Sequence, residues 1–228
     1  MAKLSINADL IKEDSIKRYP VYLKICRKLK RHGYSITQSK ELEEYTRIDA
    51  RTIRKDLAKL GKLGIKSKGY DLDVLIDGLS EALGMESKEN IILVGVGDLG
   101  GALLNYNAWT NVTGKIVCAF DEHPEKSKYK GKIKVHKISE LKRKMPEGCR
   151  IAILCTSTHT QDIVNKLIDN GIEGIVNFTL QPIEVPETVS VNTVDLVSNI
   201  QELVMKLNIK STLSENFENN FNSEFWLN

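Results

Sequence analysis

Ile91-Ile92-Leu93-Val94-Gly95-Val96-Gly97-Asp98-Leu99-Gly100-Gly101-Ala102-Leu103-Leu104-Asn105-Tyr106 decides how this chain folds. Four apolar residues in a row, Ile91 to Val94, read as a strand buried on both faces. They run directly into Gly95-x-Gly97-x-x-Gly100, and a helical pattern follows without a gap. In a strand–turn–helix context each glycine has its own task. Gly95 makes the tight turn, Gly97 lets backbone approach a pyrophosphate, and Gly100 lets the helix lie close on the strand. The helix N-terminus adds N–H groups and the positive end of a dipole. A second apolar run, Lys115 to Phe120, ends in Asp121, about 20 residues on, where a ribose-binding acid belongs. The stretch predicts a dinucleotide site; a Gly-rich turn that binds nothing is the plainer alternative.

Working outward, strand and helix patterns alternate from Asn90 onward. Strands are expected near 91–95, 115–120, 133–135, 150–156 and 174–178, with helices near 98–107, 138–145 and 159–170. That alternation predicts an α/β fold with a doubly wound parallel sheet, whose ligands sit beyond the carboxyl ends of the strands. The rim so selected contains Gly95, Val96, Gly97, Asp98, Leu99 and Gly100, then Asp121, Cys155, Thr156 and Ser157, and finally Asn177. Val185 to Val191 offers an edge strand. A last helix from Thr193 or Asp195 to about Leu207 carries Leu196, Ile200, Leu203 and Leu207 in one stripe, with no local partner, as dimer elements do. Residues 209–228, rich in Asn and Ser and including Phe225-Trp226, read as a frayed tail.

Upstream the character changes. Residues 1–84 hold 18 Lys and Arg against 12 Asp and Glu, and the rest holds 15 against 18. A basic first part beside a slightly acidic second part suggests a module that faces nucleic acid. Residues 1–16 read as a polar arm, and Pro20 suits the first turn of a helix that runs to about Arg31. Ser39 is expected to cap a short helix, Lys40 to Tyr45, burying Leu42 and Tyr45. Asp49 caps a third, from Ala50 to Leu60, that ends at Gly61. On this helix Ile53, Leu57 and Leu60 form the buried stripe. Arg51, Lys55, Ala58 and Lys59 lie opposite, flanked by Thr52 and Arg54. A basic, small-residue face on the second helix of a helix–turn–helix suits a major groove, and Glu partners at i−4 are mostly missing, which argues against a self-paired surface helix. Lys62 to Tyr70 reads as a β-hairpin wing with Lys66 and Lys68 at its tip and Gly69 closing it. Residues 71–84 form a linking helix with Leu72, Leu75 and Leu79 apolar, and the polar run 85–90 marks a domain boundary.

Composition narrows the classes further. At 228 residues with 41% hydrophobic and 28% charged content, the chain is an ordinary globular size and mix. No run approaches a membrane span and no apolar signal core opens the chain, so a cytoplasmic location is expected. Cys26, Cys118, Cys149 and Cys155 form no C-x-x-C pair and are expected as buried thiols; the scattered histidines suggest no metal.

In their order along the chain, several motifs carry a resemblance. They are Arg18-x-Pro20-x-Tyr22, Arg54-Lys55-Asp56-Leu57, Gly69-Tyr70-Asp71, Gly95-Val96-Gly97-x-Leu99-Gly100-x-Ala102-Leu103-x-Asn105-Tyr106, Phe120-Asp121, Asn177-Phe178 and Val194-Asp195-Leu196. With them the chain resembles the Rex family of redox-sensing transcriptional repressors over residues 15–208. The resemblance implies a winged-helix domain in 1–84, a Rossmann dinucleotide domain in 85–193 and a dimerisation helix in 194–208, swapped between subunits. It implies NADH and NAD⁺ as ligands, an inverted-repeat DNA operator as partner, and release of that DNA by NADH. It also carries over an inter-subunit switch to Arg18, Tyr106 and Asp195. The match departs where the family has Asn and Arg and this chain has Asp98 and Gly101; both changes work against an anion. Thr156-Ser157 and Leu180 replace residues at the nicotinamide end, Ala58 replaces a Ser on the recognition helix, and Ile65 to Gly69 loses a Gly and an Arg from the wing. A regulator with a lost or changed ligand is therefore the first alternative. A nicotinamide-dependent dehydrogenase is the second, with His159 and Lys166 as its only nearby acid–base candidates.

Overall fold

The structure, a computed structural model, describes residues 10–65, 68–85, 87–106 and 113–224, with side chains described as far as Ser211. Lys66 and the Phe225-Trp226 pair lie outside the described residues. Two compact units divide between Lys88 and Glu89, except that the described residues 113–114 group with the first.

The first unit is built from helices α1 (Glu13–Arg31), α2 (Ser39–Thr46), α3 (Ala50–Lys59) and α4 (Leu72–Ala82), with strands β1 (Ile36–Thr37) and β2 (Tyr70–Asp71). α1 begins seven residues before Pro20, where a polar arm had been expected. Pro20 is exposed and sits inside the helix. The ring removes one backbone bond to the carbonyl four residues back, at Ile16, which is also exposed, so water can take that carbonyl instead. α2 starts at Ser39 itself, with Gln38 as a cap that makes no side-chain bond. Ser39 is not a cap: it is buried, and its hydroxyl accepts a bond from Arg54. Tyr45 stays exposed, with the Lys28 ammonium 5.4 Å above its ring. Arg47, left-handed at φ 58°, makes the sharp turn from α2 toward α3.

α3 is capped as expected. Asp49 Oδ1 accepts from the Arg51 N–H at 2.8 Å and the Thr52 N–H at 3.4 Å. Ile53, Leu57 and Leu60 are fully buried against Tyr22, Leu23 and Leu42 in one core. Each such burial contributes about 1.5–3 kcal/mol. α4 does more than link. Leu72, Leu75 and Leu79 are completely buried in the same core, and the helix packs on α1. β2 pairs antiparallel with β1, and Ile65 bridges Gly69 to form the short wing. Gly69 (φ 92°) must be glycine, because a Cβ there would meet the Thr37 carbonyl at 2.4 Å.

In the second unit β3 (Glu89–Val94), α5 (Asp98–Asn105), β4 (Gly114–Asp121), β5 (Val135–Lys137), α6 (Leu141–Lys144), β6 (Cys149–Leu154), α7 (Thr160–Asp169), β7 (Gly174–Asn177) and β8 (Ser190–Thr193) follow one another, and α8 (Leu196–Glu224) closes the chain. The sheet order is β5-β4-β3-β6-β7-β8, a parallel sheet that reverses direction of winding at β3. Ile92, Leu93 and Val94 are buried in succession, as a strand covered on both faces requires. Ile163, Val164 and Leu167 of α7 pack on the sheet residues Ala152 and Leu154 in its core. The edge strand expected within 185–191 is displaced to 190–193. α8 continues past Leu207 to Glu224, where a frayed tail had been expected; its sequence contains neither Gly nor Pro to stop it. Leu196, Ile200, Leu203 and Leu207 are all exposed in the single chain.

Candidate nucleotide cleft and nucleic-acid interface

The Gly loop has the geometry its spacing implies. Gly95 takes φ 94°, and a Cβ on it would meet the Thr156 nitrogen at 2.6 Å. A Cβ on Gly100 would sit 1.9 Å from the Gly95 carbonyl oxygen, so α5 reaches the strand only because residue 100 is glycine. Gly97 faces open space, with nothing within 4 Å of its missing Cβ. There a ligand's phosphates can approach the backbone, at the end of α5 whose first N–H groups have no helical partner.

Beside the loop lies a cleft of about 210 Å³ lined by Gly95, Gly97, Asp121, Glu122, Cys155, Thr156, Ser157 and the apolar Ile138 and Ile163, among others. The structure thus brings most of the predicted rim together. Val96 is buried and Leu99 exposed beside it. Asp121 is already engaged: its carboxylate accepts from the Val96 N–H at 2.6 Å and from the His123 N–H at 2.7 Å. Burial pushes the Cys155 thiol up to about 12, which leaves it an inert wall. Asn177 does not join the cleft lining. It is buried at the end of β7, where its side chain accepts from the Thr179 N–H and hydroxyl and donates to the Gln181 carbonyl. Its amide shapes the following turn.

Two bridges, one in the cleft and one at the head of α5 outside its lining, have no signal in the sequence. Glu122 bridges to the β6–α7 turn, with His159 Nδ1 at 2.9 Å from one oxygen and the Thr158 hydroxyl at 3.3 Å from the other. Asp98, at the head of α5, has Lys128 3.5 Å from its carboxylate. Neither bridge follows a helical spacing, so no local pattern announces it.

In the first unit, Arg51, Arg54, Lys55 and Ala58 are exposed on one side of α3, with Thr52 partly so; Lys68 is exposed on the wing. Lys59 departs from that face. Its ammonium donates to the Ser15 hydroxyl at 2.8 Å and lies 3.5 Å from Asp56, so it belongs to an internal network. Asp56 is the centre of that network and is 1% exposed. It accepts a fork from Arg18 at 2.6 and 3.0 Å, and bonds from Ser15 at 2.8 Å and Tyr22 at 2.9 Å. Burial opposes its ionisation, but the bonds from Arg18, Ser15 and Tyr22 outweigh burial and hold the carboxyl at about 2. The same bonding raises the Arg18 guanidinium's pKa further above its ordinary value. A signal for Asp56 did exist: it falls at i+3 from Ile53, on the buried stripe.

Of the three residues expected as an inter-subunit switch, Arg18 thus pairs within its own unit. Asp195 heads α8, accepting from the Ser198 N–H at 3.0 Å and hydroxyl at 2.6 Å. Tyr106 ends α5 with its ring exposed.

A repressor named redox-sensing transcriptional repressor Rex from Anoxybacillus flavithermus is 37% identical over 85% of this chain and 92% of its own. The chain belongs to the Rex family. A Rex from Geobacillus sp. is 35% identical over 90% of this chain and 96% of its own, and one from Listeria monocytogenes is 35% identical over 85% and 92%. Residues 86–181 match the family described as "CoA binding domain" and residues 11–58 that described as "Putative DNA-binding protein N-terminus". Among solved structures, RSP in complex with β-NAD⁺ and operator DNA superposes with a TM-score of 0.80 at 26% identity, covering 90% of this chain and 96% of that one. RSP with β-NADH gives 0.81 at 25% identity, covering 90% and 98%. Rex proteins are transcriptional repressors, so the dehydrogenase reading is set aside. Among the described residues no helix is long and apolar enough to cross a membrane.

Proposed function

We propose that this Rex protein is a homodimer that binds an inverted-repeat operator through two winged helices and leaves it when NADH fills the cleft. The observation that carries the reading is the open backbone at Gly97 beside Asp121, in a chain whose other unit presents Arg51, Arg54 and Lys55 outward on a capped helix. In this reading residues 1–84 bind DNA, 85–193 bind the dinucleotide and 194–208 dimerise. Arg18, Tyr106 and Asp195 form the switch between subunits. Arg–carboxylate forks are strong, directional bonds. An Arg18 that exchanges partners between states is therefore suited to bias two arrangements of the dimer. A ligand shifts such an equilibrium only by its differential affinity, and a ~100-fold preference contributes about 2.7 kcal/mol. The location that accords with this function is the cytoplasm.

The reading is tested by titrating NADH and NAD⁺ into the purified protein on a labelled inverted-repeat duplex. NADH is expected to release the duplex at concentrations where NAD⁺ does not. Two observations favour a second reading, a regulator with a changed effector: Asp121 already accepts the Val96 N–H, and a carboxylate stands at the head of α5. Duplex binding that ignores NADH but yields to another nucleotide would establish that reading instead.

A further inference from the structure

Asp98 places a negative charge at the end of α5 that should receive phosphates, and the loop after β4 answers it. Residues 126–134 carry a lysine at every second position, Lys126, Lys128, Lys130, Lys132 and Lys134. All five are exposed. The segment meets the Gly loop and the helix after it at two points. The Ser127 hydroxyl donates to the Val96 carbonyl at 3.1 Å and accepts from the Tyr129 N–H at 3.2 Å, which fixes the chain on both sides of Lys128. Tyr129 covers Gly101, its Cβ 4.0 Å from where a Cβ on residue 101 would stand. Between these anchors Lys128 reaches to within 3.5 Å of Asp98. The first anchor rests on the backbone of the loop itself, so the chain at Lys128 is held beside the phosphate end and its ammonium has only its own side chain to travel.

We propose that Lys128 is a diphosphate-binding residue of this cleft: it neutralises Asp98 in the empty site and turns to the diphosphate bridge of an adenine dinucleotide when one binds. The ammonium is a compact point charge with three donors, able to leave one anion for another without a fixed fork geometry. Both side chains are almost fully exposed, so the pair itself adds little stability and is easily exchanged. The proposal rests on the dinucleotide reading of the cleft and is tested with ligands that separate the two.

Calorimetric titrations of the full-length protein with NADH, ADP-ribose and adenosine provide the test. Lys128→Ala is expected to weaken NADH and ADP-ribose about tenfold at low salt, with the loss shrinking as salt rises, and to leave adenosine unchanged. Lys128→Arg should retain most of the affinity. In the Lys128→Ala background, Asp98→Asn should recover most of the loss. Unchanged ADP-ribose affinity in Lys128→Ala, or an equal loss for adenosine, would overturn the proposal. Wild-type protein that binds ADP-ribose and not NADH would sink the NADH reading while still measuring Lys128. Protein that binds neither would overturn both.

Discussion

Asp56 shows what a single residue contributes. Its carboxylate ties α1 to α3 through Arg18, Ser15 and Tyr22, so the helix proposed to face DNA is oriented by a buried charge and not by apolar packing alone. Removing one partner of a buried pair costs about 3–5 kcal/mol, because the other is left uncompensated. Asp56→Ala is accordingly expected to lower the melting temperature sharply, which calorimetry would measure. The carboxyl titrates near 4 in the unfolded chain and near 2 in the folded one. Its stabilisation is therefore complete above about pH 4 and lost as pH falls from 4 toward 2. Wild type should lose stability in that window, whereas Asp56→Asn, less stable at neutral pH, should lose less there. The neighbouring lysines separate on the same grounds. Lys55→Ala should weaken operator binding and reduce its salt slope by about 1. Lys59→Ala should lower stability with a smaller change in slope, since its ammonium is bound to Ser15. A helical projection placed both lysines on one face. It cannot see Ser15, forty-four residues away in sequence, and that is why the internal bond of Lys59 was not legible while the bonds of Asp49, which are local, were.

At the scale of elements, the strands and caps were legible because their causes lie within a few residues. Continuous apolar runs gave β3, β4 and β6 nearly to their ends. Pro20 was read as the start of α1 because, on local evidence, proline favours a first turn. The two turns ahead of it exist because Ser15, Arg18 and Tyr19 bind Asp56 across the domain, the last through the Asp56 carbonyl at 3.1 Å. Pro20→Ala restores a backbone donor there and is expected to stabilise the protein by about 1–3 kcal/mol, less any loss from a looser unfolded chain. Thermal melts of the two proteins would check the sign. α8 poses the converse case. Leu203 lies mid-stripe and is exposed, so Leu203→Asp is expected to leave the monomer fold intact and shift sedimentation from dimer to monomer at micromolar concentration.

For the whole molecule, the proposed division of labour follows the division of charge: a basic first part suited to phosphate backbone, joined to a slightly acidic second part proposed to hold a soluble nucleotide. What remained hidden in the sequence was the content of the links, such as Lys128 and Glu122, whose partners lie 30 or more residues away. The Gly loop carries one more consequence, for how such a sensor diverges. Gly95 and Gly100 are both held as glycine by backbone: a Cβ on Gly100 would strike the Gly95 carbonyl, and one on Gly95 would strike Cys155 and Thr156. Neither can change without wrecking the turn. Residues 98 and 128 are under no such constraint, being almost wholly in solvent. Mutation can therefore retune ligand affinity step by step while the scaffold stands still, and lineages facing different metabolic set points can drift in sensitivity without passing through an unfolded ancestor.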